Sequence, residues 1–288
     1  MRRTGPILLV LALLTACAGT PVTTAPASHA TDSHVLESQV SDINDLAQVA
    51  TALATNGARR TLLVLDIDDT LLTSQGFFGS DKWYEWQKHL AATDPAKVPC
   101  LFDVISLNYE VGTQQPTQPD GPALINALPG DKLMLTSRNP LYRGGTLRTL
   151  HDAGYALPTP LGGQSEGRSW RWRKAPDARE SQVSYDQGIF MTAGQDKGLV
   201  LLDLLGRLPS RYERVVLVDD GDANIRNMQA ALRDAGIDYQ GLHYTRVDKT
   251  VSDADAKAGL SAWQAWRSLL ATTYPERLAG LNSGKCDY

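Results

Sequence analysis

The chain has 288 residues, of which 42% are hydrophobic and 21% are charged, so it carries enough apolar side chain to bury a core. This composition excludes a disordered or fibrous protein. Twenty-eight basic and 32 acidic residues give a net charge of −4. An acidic balance argues against general nucleic-acid binding, which depends on a basic surface.

The N-terminus has the pattern of an export signal. Arg2 and Arg3 precede an apolar run from Pro6 to Leu14, too short for a transmembrane helix. The following Leu-Thr-Ala-Cys ending resembles a bacterial lipobox, which implies a lipoprotein signal peptide over residues 1–16 and diacylation of Cys17. A dual-acylated cysteine would anchor the chain to the inner or outer membrane of the cell envelope, facing the periplasm or the exterior. The alternatives are a soluble secreted protein and an N-terminal anchor that is never cut.

Removal of the signal leaves 26 basic and 32 acidic residues, a net charge of −6. Residues 17–31 are small, uncharged and rich in Thr, Ala and Pro, a composition typical of a flexible tether. We expect the folded domain to span residues 32–288.

The first predicted elements are a helix and a strand. Apolar residues recur at three- to four-residue spacing from residue 32 to 56, which predicts an amphipathic helix ending at Gly57. A buried strand from Thr61 to Ile67 follows and includes the first two residues of an Asp66-Ile67-Asp68-Asp69-Thr70 segment. Residues two apart on an extended strand point the same way, so Asp66 and Asp68 should share one face.

Paired carboxylates favour a division of roles. One tends to ionise and act as a nucleophile or metal ligand, while its neighbour is pushed toward a proton-donating form. The alternative is a solvated Asp-rich turn at a strand end. Asp69 matches no required role in such a pair, and we expect it to solvate or cap the turn.

Later segments alternate between apolar strands and helical patterns. The predicted strands are 132–136, 188–192, 214–218 and 241–244, and the predicted helices are 141–153, 197–208, 223–235 and 261–274. This alternation predicts an α/β fold with a parallel sheet and helices on both faces. Two segments interrupt it: a mainly helical cap insertion over about 73–131 and a Gly-, Arg- and Trp-rich insertion over about 158–186. We expect both to cover the site.

Polar groups follow several of these elements. Thr136 ends one strand, Lys197 opens a helix, and Asp219 and Asp220 end another strand. Ligands in parallel sheets bind beyond the carboxyl ends of the strands, so these groups should converge with Asp66. The alternatives are an ordinary strand-end threonine, a solvated lysine and helix capping by the acidic pair, although Asp222 is available for capping. A cation at a helix N-terminus opposes the helix dipole, which favours a functional role for Lys197.

The order and spacing of these motifs over residues 60–245 resembles the haloacid dehalogenase (HAD) superfamily. The DIDDT segment, the Gly76-Phe77-Phe78 and Gly79-Ser80-Asp81-Lys82-Trp83 stretches, Thr136-Ser137-Arg138 and Gly188-Ile189-Phe190 resemble an exported bacterial HAD-like family known mainly as a domain of unknown function. Class B and class C bacterial acid phosphatases look related. The resemblance implies a HAD-like Rossmannoid fold and phosphoryl transfer through an aspartyl phosphate.

The resemblance also implies a role for each matching residue. Asp66 would be the nucleophile and a metal ligand, and Asp68 would be the general acid and base, with its backbone carbonyl on the metal. Asp220 would be a direct metal ligand. Mg²⁺ is the expected cofactor because the site offers hard oxygen ligands.

Five further residues would support this chemistry. Thr136 would donate its hydroxyl to a phosphate oxygen, and Lys197 would offset the negative charge of the transferring group and of Asp66. Asp219 would orient a metal-bound water or Lys197, and Thr70 would hold the loop after the nucleophile. Arg138 resembles the arginine that follows the hydroxyl in the acid phosphatases; a surface salt bridge is the alternative.

Three other sets of residues each allow two interpretations. Cys100 and Cys286 can form a disulfide in an oxidising compartment, or remain two thiols. The helical spacing of Trp83 and Trp86, with Tyr84 between them, is typical of a buried face, with a lid or substrate-stacking wall as the alternative. The run from Trp170 to Lys174 is more typical of a solvated hairpin than of a surface for bases or headgroups.

The sequence therefore predicts a metal-dependent phosphomonoester hydrolase on the cell envelope. Its partners would be a small phosphorylated substrate and a membrane, reached through the lipid anchor, and no specific nucleic acid. Asp68 argues against a dehalogenase, because HAD members with that chemistry lack an acid at this position. The alternatives are a non-catalytic surface-binding lipoprotein on a HAD scaffold and a phosphotransferase that uses the same intermediate.

Overall fold

The structure is a computed structural model that describes residues 36–54, 59–163 and 166–286. The predicted signal peptide, Cys17 and the tether lie outside these residues. The strands are β1 (Ser38–Ile43), β2 (Thr61–Leu65), β3 (Leu72–Ser74), β4 (Gln114–Pro116), β5 (Asp131–Thr136), β6 (Arg168–Trp172), β7 (Ser181–Asp186), β8 (Ile189–Met191), β9 (Arg214–Asp219) and β10 (Asp238–Tyr244). The helices are α1 (Gln48–Ala54), α2 (Asp81–His89), α3 (Leu101–Val111), α4 (Gly121–Ala127), α5 (Arg143–Asp152), α6 (Lys197–Gly206), α7 (Asp222–Asp234), α8 (Asp253–Thr273) and α9 (Pro275–Asn282).

Eight of the described strands form one sheet in the order β1-β10-β9-β2-β5-β8-β7-β6. The pairs from β1 to β8 are parallel, and β7 and β6 pair antiparallel at one edge. The predicted α/β fold with a mostly parallel sheet is confirmed.

Side chains of β2 alternate between two cores, as the two-residue period of a strand requires. Leu63 and Leu65 pack in a core with residues of α1, α4 and α5, whereas Leu62 and Val64 pack in a core with residues of α6 and α7. Helices therefore cover both faces of the sheet. A strand buried on both sides must be apolar throughout, which explains the uninterrupted Leu-Leu-Val-Leu run.

The register of β2 and β9 brings their acidic ends together. Leu65 pairs with Val218, and the Asp66 N–H donates to the Val218 carbonyl at 3.0 Å. Since the strands are parallel, Asp66 and Asp219 leave the sheet side by side at its carboxyl edge.

The predicted first helix is wrong over much of its length. Residues 38–43 form the edge strand β1, which pairs in parallel with β10, and among the described residues of this region only Gln48–Ala54 are helical. The apolar spacing of Val40 and Ile43 fits a helix, but the free edge of β10 provides hydrogen-bonding partners for an extended chain. Tertiary pairing of this kind overrides local helix propensity.

The helical cap insertion is narrower than predicted. The short antiparallel pair β3–β4 closes it, so that α2 and α3 lie within the inserted segment, residues 75–113. Helix α4 instead packs in the main core through Ile125. Trp83 is 1% exposed and packs in a separate core with Trp263 of α8 and Leu281 of α9, which makes it a structural residue.

The second insertion was predicted to cover the site, but it also has a structural role. Its strands β6 and β7 extend the sheet, and the Trp170 ring stacks on Phe190 with centroids 5.5 Å apart. The Trp170 indole donates to Asp203 at 2.8 Å, and Arg171 pairs with Glu180. These contacts make the Trp- and Arg-rich run a structural hairpin.

The C-terminal helices hold the cap in place. Cys100, at the start of α3, and Cys286, after α9, form a disulfide. Arg277 of α9 also pairs with Asp103 of α3 at 2.9 Å. Among the described helices, none combines the length and apolar character needed to cross a bilayer.

Candidate active site

Several of the residues predicted to form the site line a cavity of about 700 Å³ beyond the carboxyl ends of β2, β5 and β9. Its walls come from the strand ends, the N-termini of α6 and α7, and cap helices α2 and α3. Asp66, Asp68, Lys197 and Asp220 all line it. The predicted convergence of these strand-end groups is therefore present in the fold.

Lys197 lies between two carboxylates at the bottom of the site. Its Nζ is 2.5 Å from Asp66 Oδ1 and 2.7 Å from Asp219 Oδ2, and its side chain is 2% exposed. Asp196 caps helix α6 by accepting the Gly198 and Leu199 N–H groups, so the chain positions Lys197 as the first helical residue. Burial opposes a charged lysine, but Asp219 and Asp66 raise the pKa of Lys197 and keep it protonated.

Thr70 and Asp219 fix the two acidic strand ends. The buried Thr70 hydroxyl lies 3.4 Å from both Asp66 Oδ2 and Asp220 Oδ1, and it accepts the Asp220 N–H at 3.1 Å. Asp219 Oδ1 accepts the Gly221 N–H at 2.8 Å and the Asn224 side chain at 3.0 Å. Asp219 thus orients Lys197 rather than capping the first turn of α7.

Carboxylate oxygens gather in two adjacent groups that can hold a cation. Asp66, Asp219 and Asp220 form the first group; Asp69, Asp81 and Asp220 form the second; and the oxygens within each lie within 4.8 Å of one another. Hard oxygens at this spacing suit Mg²⁺. The carboxylate of Asp68 belongs to neither group, so the predicted contact through its backbone carbonyl remains a prediction.

Burial and mutual repulsion perturb these acids. Burial raises the pKa of Asp66 well above its ordinary value, and Asp219 and Asp220 add to the rise while Lys197 opposes it. Burial likewise raises the pKa of Asp220 to about 6, against the opposing charge of Lys249. Acids that resist ionisation in this way indicate a site with too little positive charge, which a divalent cation would supply.

The expectation that Asp69 is a solvated turn residue is wrong. Asp69 is 2% exposed and adopts a positive φ of 54°. Its Oδ1 accepts the Thr73 hydroxyl at 2.8 Å, whereas its buried Oδ2 has no hydrogen-bond partner. Burial raises the pKa of Asp69 to about 7. Turn geometry alone gives no signal that this third aspartate points inward.

Asp68 is paired with a buried arginine instead of a solvent-exposed one. The Arg138 guanidinium donates through Nη2 to Asp68 Oδ1 at 2.8 Å and through Nε to Oδ2 at 3.0 Å. Arg138 is 3% exposed, which removes the surface salt-bridge alternative. Burial would raise the pKa of Asp68, but the charge and hydrogen bonds of Arg138 hold that pKa below its ordinary value.

The strand-end hydroxyls take different positions. Thr136 is fully buried, accepts the Arg138 N–H at 3.1 Å, and lies 3.5 Å from Asp68 Oδ2. Ser137 lines the cavity. The structure therefore places Thr136 behind Asp68 and brings the neighbouring serine to the cavity wall.

Sequence reasoning missed three residues of the site. Tyr109 of α3 places its hydroxyl 3.4 Å from Asp68 and its ring under the Arg138 guanidinium, at 4.1 Å. Lys249, in the loop after β10, contacts Asp220, and Asp81 of α2 lies 2.6 Å from Lys249. The position of Lys249 just beyond a parallel strand and the place of Asp81 in the Gly79-Ser80-Asp81-Lys82-Trp83 stretch were signals, whereas Tyr109 has none in the sequence.

Comparisons with known proteins give a family and two distant structures. No curated protein matches the chain. Two solved structures of the class C acid phosphatase from Bacillus anthracis, one with tungstate bound, are similar at 13% identity. The tungstate-bound structure has a TM-score of 0.35 over 75% of this chain and 84% of its own. The other has a TM-score of 0.37 over 75% and 85%.

A likeness at that level assigns no activity. The family model described as "Protein of unknown function (DUF2608)" matches residues 39–276, which include every strand and helix of the site. The chain therefore belongs to the DUF2608 family.

Proposed function

We propose that this protein is a metal-dependent phosphomonoester hydrolase of the HAD type. One observation carries the proposal: Asp66 lies at a cavity wall with its Oδ1 on the buried Lys197, next to a second acid, Asp68, that is held separately by Arg138. A carboxylate nucleophile and a separate proton carrier are what phosphoryl transfer through an aspartyl intermediate requires.

The proposed first step forms a bond between an Asp66 carboxylate oxygen and phosphorus and breaks the bond from phosphorus to the substrate alcohol. The Lys197 ammonium contacts Asp66 and offsets the negative charge that the phosphoryl group brings. Asp68 gives its proton to the departing alcohol. In the second step Asp68 removes a proton from water, which attacks phosphorus and releases Asp66.

Arg138 gives Asp68 a way to serve both steps. Paired with Arg138, Asp68 has a lowered pKa and is ionised, which suits the base of the second step. A substrate phosphate near the cavity wall competes for the guanidinium, weakens its hold on Asp68, and raises the pKa of that carboxyl. Proton donation is then favoured when substrate is bound.

The carboxylates of Asp66, Asp219 and Asp220 are the residues that would hold the metal ion. A divalent cation, when bound there, supplies positive charge to the carboxylates and to a phosphate oxygen. Mg²⁺ is the proposed ion because all the candidate ligands are hard oxygens.

We also propose that the protein acts on the cell envelope, anchored through Cys17. The disulfide between Cys100 and Cys286 supports this location, because disulfides persist in exported proteins and are rare in the cytosol. Metabolic labelling with a lipid precursor should mark the wild type and not Cys17→Ser.

The test is a screen of phosphate release from varied monoesters in Mg²⁺. We expect wild type to turn over at least one substrate, Asp66→Asn to lose at least about a thousandfold in rate, and Asp203→Asn to retain activity. Asp203 is a matched control because it is an aspartate paired with Arg207 away from the cavity. Absence of phosphate release from every monoester, or full activity of Asp66→Asn, contradicts the proposal.

A further inference from the structure

Lys249 is a second cation in the acidic region, and it differs from Lys197 in its surroundings. It belongs to the loop between β10 and α8, and its Nζ lies 2.6 Å from Asp81 Oδ2 and 3.7 Å from Asp69 Oδ2 and also contacts Asp220. These three aspartates are the members of the second carboxylate group. The Lys249 ammonium therefore fills the place where a cation would bind.

A buried atom within this carboxylate group supports the same interpretation. Asp69 is 2% exposed, and its Oδ2 lacks a hydrogen-bond partner while it points toward the Lys249 ammonium. A buried carboxylate oxygen without a hydrogen bond is costly unless a cation lies nearby. At 3.7 Å the ammonium satisfies it only partly.

The two carboxylate groups are not independent, because Asp220 belongs to both. A cation in the first group and the Lys249 ammonium draw on the same carboxylate. The Lys249 side chain is 36% exposed, whereas that of Lys197 is 2% exposed. Lys249 can therefore move toward solvent, while Lys197 is fixed between Asp66 and Asp219.

We propose that Lys249 is a built-in cation that occupies the second carboxylate group and competes with a divalent metal ion for Asp220. The competition lowers the metal affinity of the first group and restricts the site to one ion. Lys249 also contacts Asp81 of cap helix α2. Metal binding is therefore linked to the contact between the cap and the loop that joins β10 to α8. The inference rests on the metal-binding part of the proposed function.

The test is a titration of metal-free protein with Mn²⁺, with free ion followed by electron paramagnetic resonance. We expect wild type to bind one ion. Lys249→Met should bind that ion about tenfold more tightly or should bind a second ion, because removal of a contacting positive charge strengthens attraction for a cation. Lys249→Arg keeps the charge and should resemble wild type.

Lys82→Met is the matched control. Lys82 follows Asp81 in the sequence, but it pairs with Asp255 at 3.0 Å rather than with the carboxylate groups. Its loss should leave affinity and the number of ions unchanged. A purely structural role for Lys249 predicts weaker or equal binding in Lys249→Met, and either result overturns the proposal.

A second measurement uses the wild-type protein, so it does not depend on the folding of a variant. Reductive methylation of Lys249, followed by mass spectrometry of its peptide, should proceed faster when Mn²⁺ saturates the protein. If Mn²⁺ leaves the methylation rate of Lys249 unchanged, the proposed competition between Lys249 and the metal ion is wrong. If no protein binds Mn²⁺, this inference and the metal requirement both fall; if binding behaves as expected without phosphate release, only the hydrolase proposal falls.

Discussion

Arg138 and Asp68 show how one buried pair serves both stability and chemistry. Arg138 also donates to Thr146 at 2.9 Å and to Gln114 at 2.8 Å, so its guanidinium holds a fixed orientation. A planar fork with several donors cannot be replaced by lysine. The arginine is therefore part of the fold as well as a partner of the proposed proton carrier.

We predict that Arg138→Met lowers the free energy of unfolding by about 3 to 5 kcal/mol, because it leaves the Asp68 carboxylate without its counter-charge. The double variant with Asp68→Asn should recover part of that loss. Urea unfolding of the four proteins in a double-mutant cycle measures the coupling. Additive losses in the double variant would show that the two side chains act independently.

Asp69 has a distinct pH signature. Its folded-state pKa of about 7 lies above the ordinary value of 3.8, so between these values the folded protein binds more protons than the unfolded chain. Stability should therefore be greatest at low pH and fall as the pH rises through 7. Asparagine at this position tolerates the positive φ and keeps an acceptor for Thr73.

We predict that in EDTA the stability of Asp69→Asn relative to wild type rises by roughly 2 to 4 kcal/mol between pH 5 and pH 8. Urea unfolding across this pH range measures the difference. The slope contributed by Asp220, whose pKa is raised to about 6, should remain in the variant. If the free energies of unfolding of wild type and Asp69→Asn differ by the same amount at every pH from 5 to 8, the pKa of Asp69 is not raised.

At the scale of elements, the disulfide joins the cap to the end of the chain. Cys100 precedes α3 and Cys286 follows α9, at a sequence separation of 186 residues. Closing so long a loop restricts the unfolded chain strongly. The buried cap residues Trp83 and Val104, which pack with the C-terminal helices, should loosen first when the bond is lost.

We predict that Cys100→Ala/Cys286→Ala lowers the free energy of unfolding by about 2 to 4 kcal/mol. Reduction of wild type should give a loss of the same size, and the reductant should not affect the double variant. Denaturant unfolding with and without reductant makes the comparison. Equal stability of oxidised and reduced wild type would show that packing alone holds the cap.

The elements that the sequence predicts well are those whose pattern reflects burial on both faces. Strands β2 and β9 each have a continuous apolar run of four residues, and both match their predicted positions closely. The sequence does not predict strand β1. Five of its residues are exposed, so this edge strand lacks the alternation of apolar and polar side chains that identifies a half-buried strand. Strand β6 joins the sheet only through pairing with β7, which local composition does not encode.

The same distinction applies to the site. Asp66 and Asp219 lie at the carboxyl ends of strands and Lys197 at the start of a helix, so parallel topology alone brings them to one edge. Lys249 and Asp81 reach the site from a loop and from the cap. Their positions depend on how α8 and α9 pack against the inserted helices, which no single segment determines.

At the scale of the whole molecule, the fold concentrates negative charge in one place. The chain has a net charge of only −4, yet seven aspartates line the cavity or belong to the two carboxylate groups beside it. Lys197, Arg138 and Lys249 compensate part of that charge. The remaining excess destabilises the metal-free fold and should make stability depend on a divalent cation.

We predict that Mg²⁺ at about a hundred times its dissociation constant adds roughly 2.7 kcal/mol to stability and raises the unfolding temperature by roughly 5 to 10 °C relative to EDTA. At one fixed Mg²⁺ concentration the gain should be larger at pH 8 than at pH 5, because the Asp220 carboxyl, with a pKa raised to about 6, must lose its proton to bind the ion. Thermal unfolding at matched ionic strength measures the shift.

Asp220→Asn should lose the Mg²⁺ effect, since it removes the carboxylate common to both groups. An equal shift in wild type and Asp220→Asn would place the ion elsewhere on this acidic molecule.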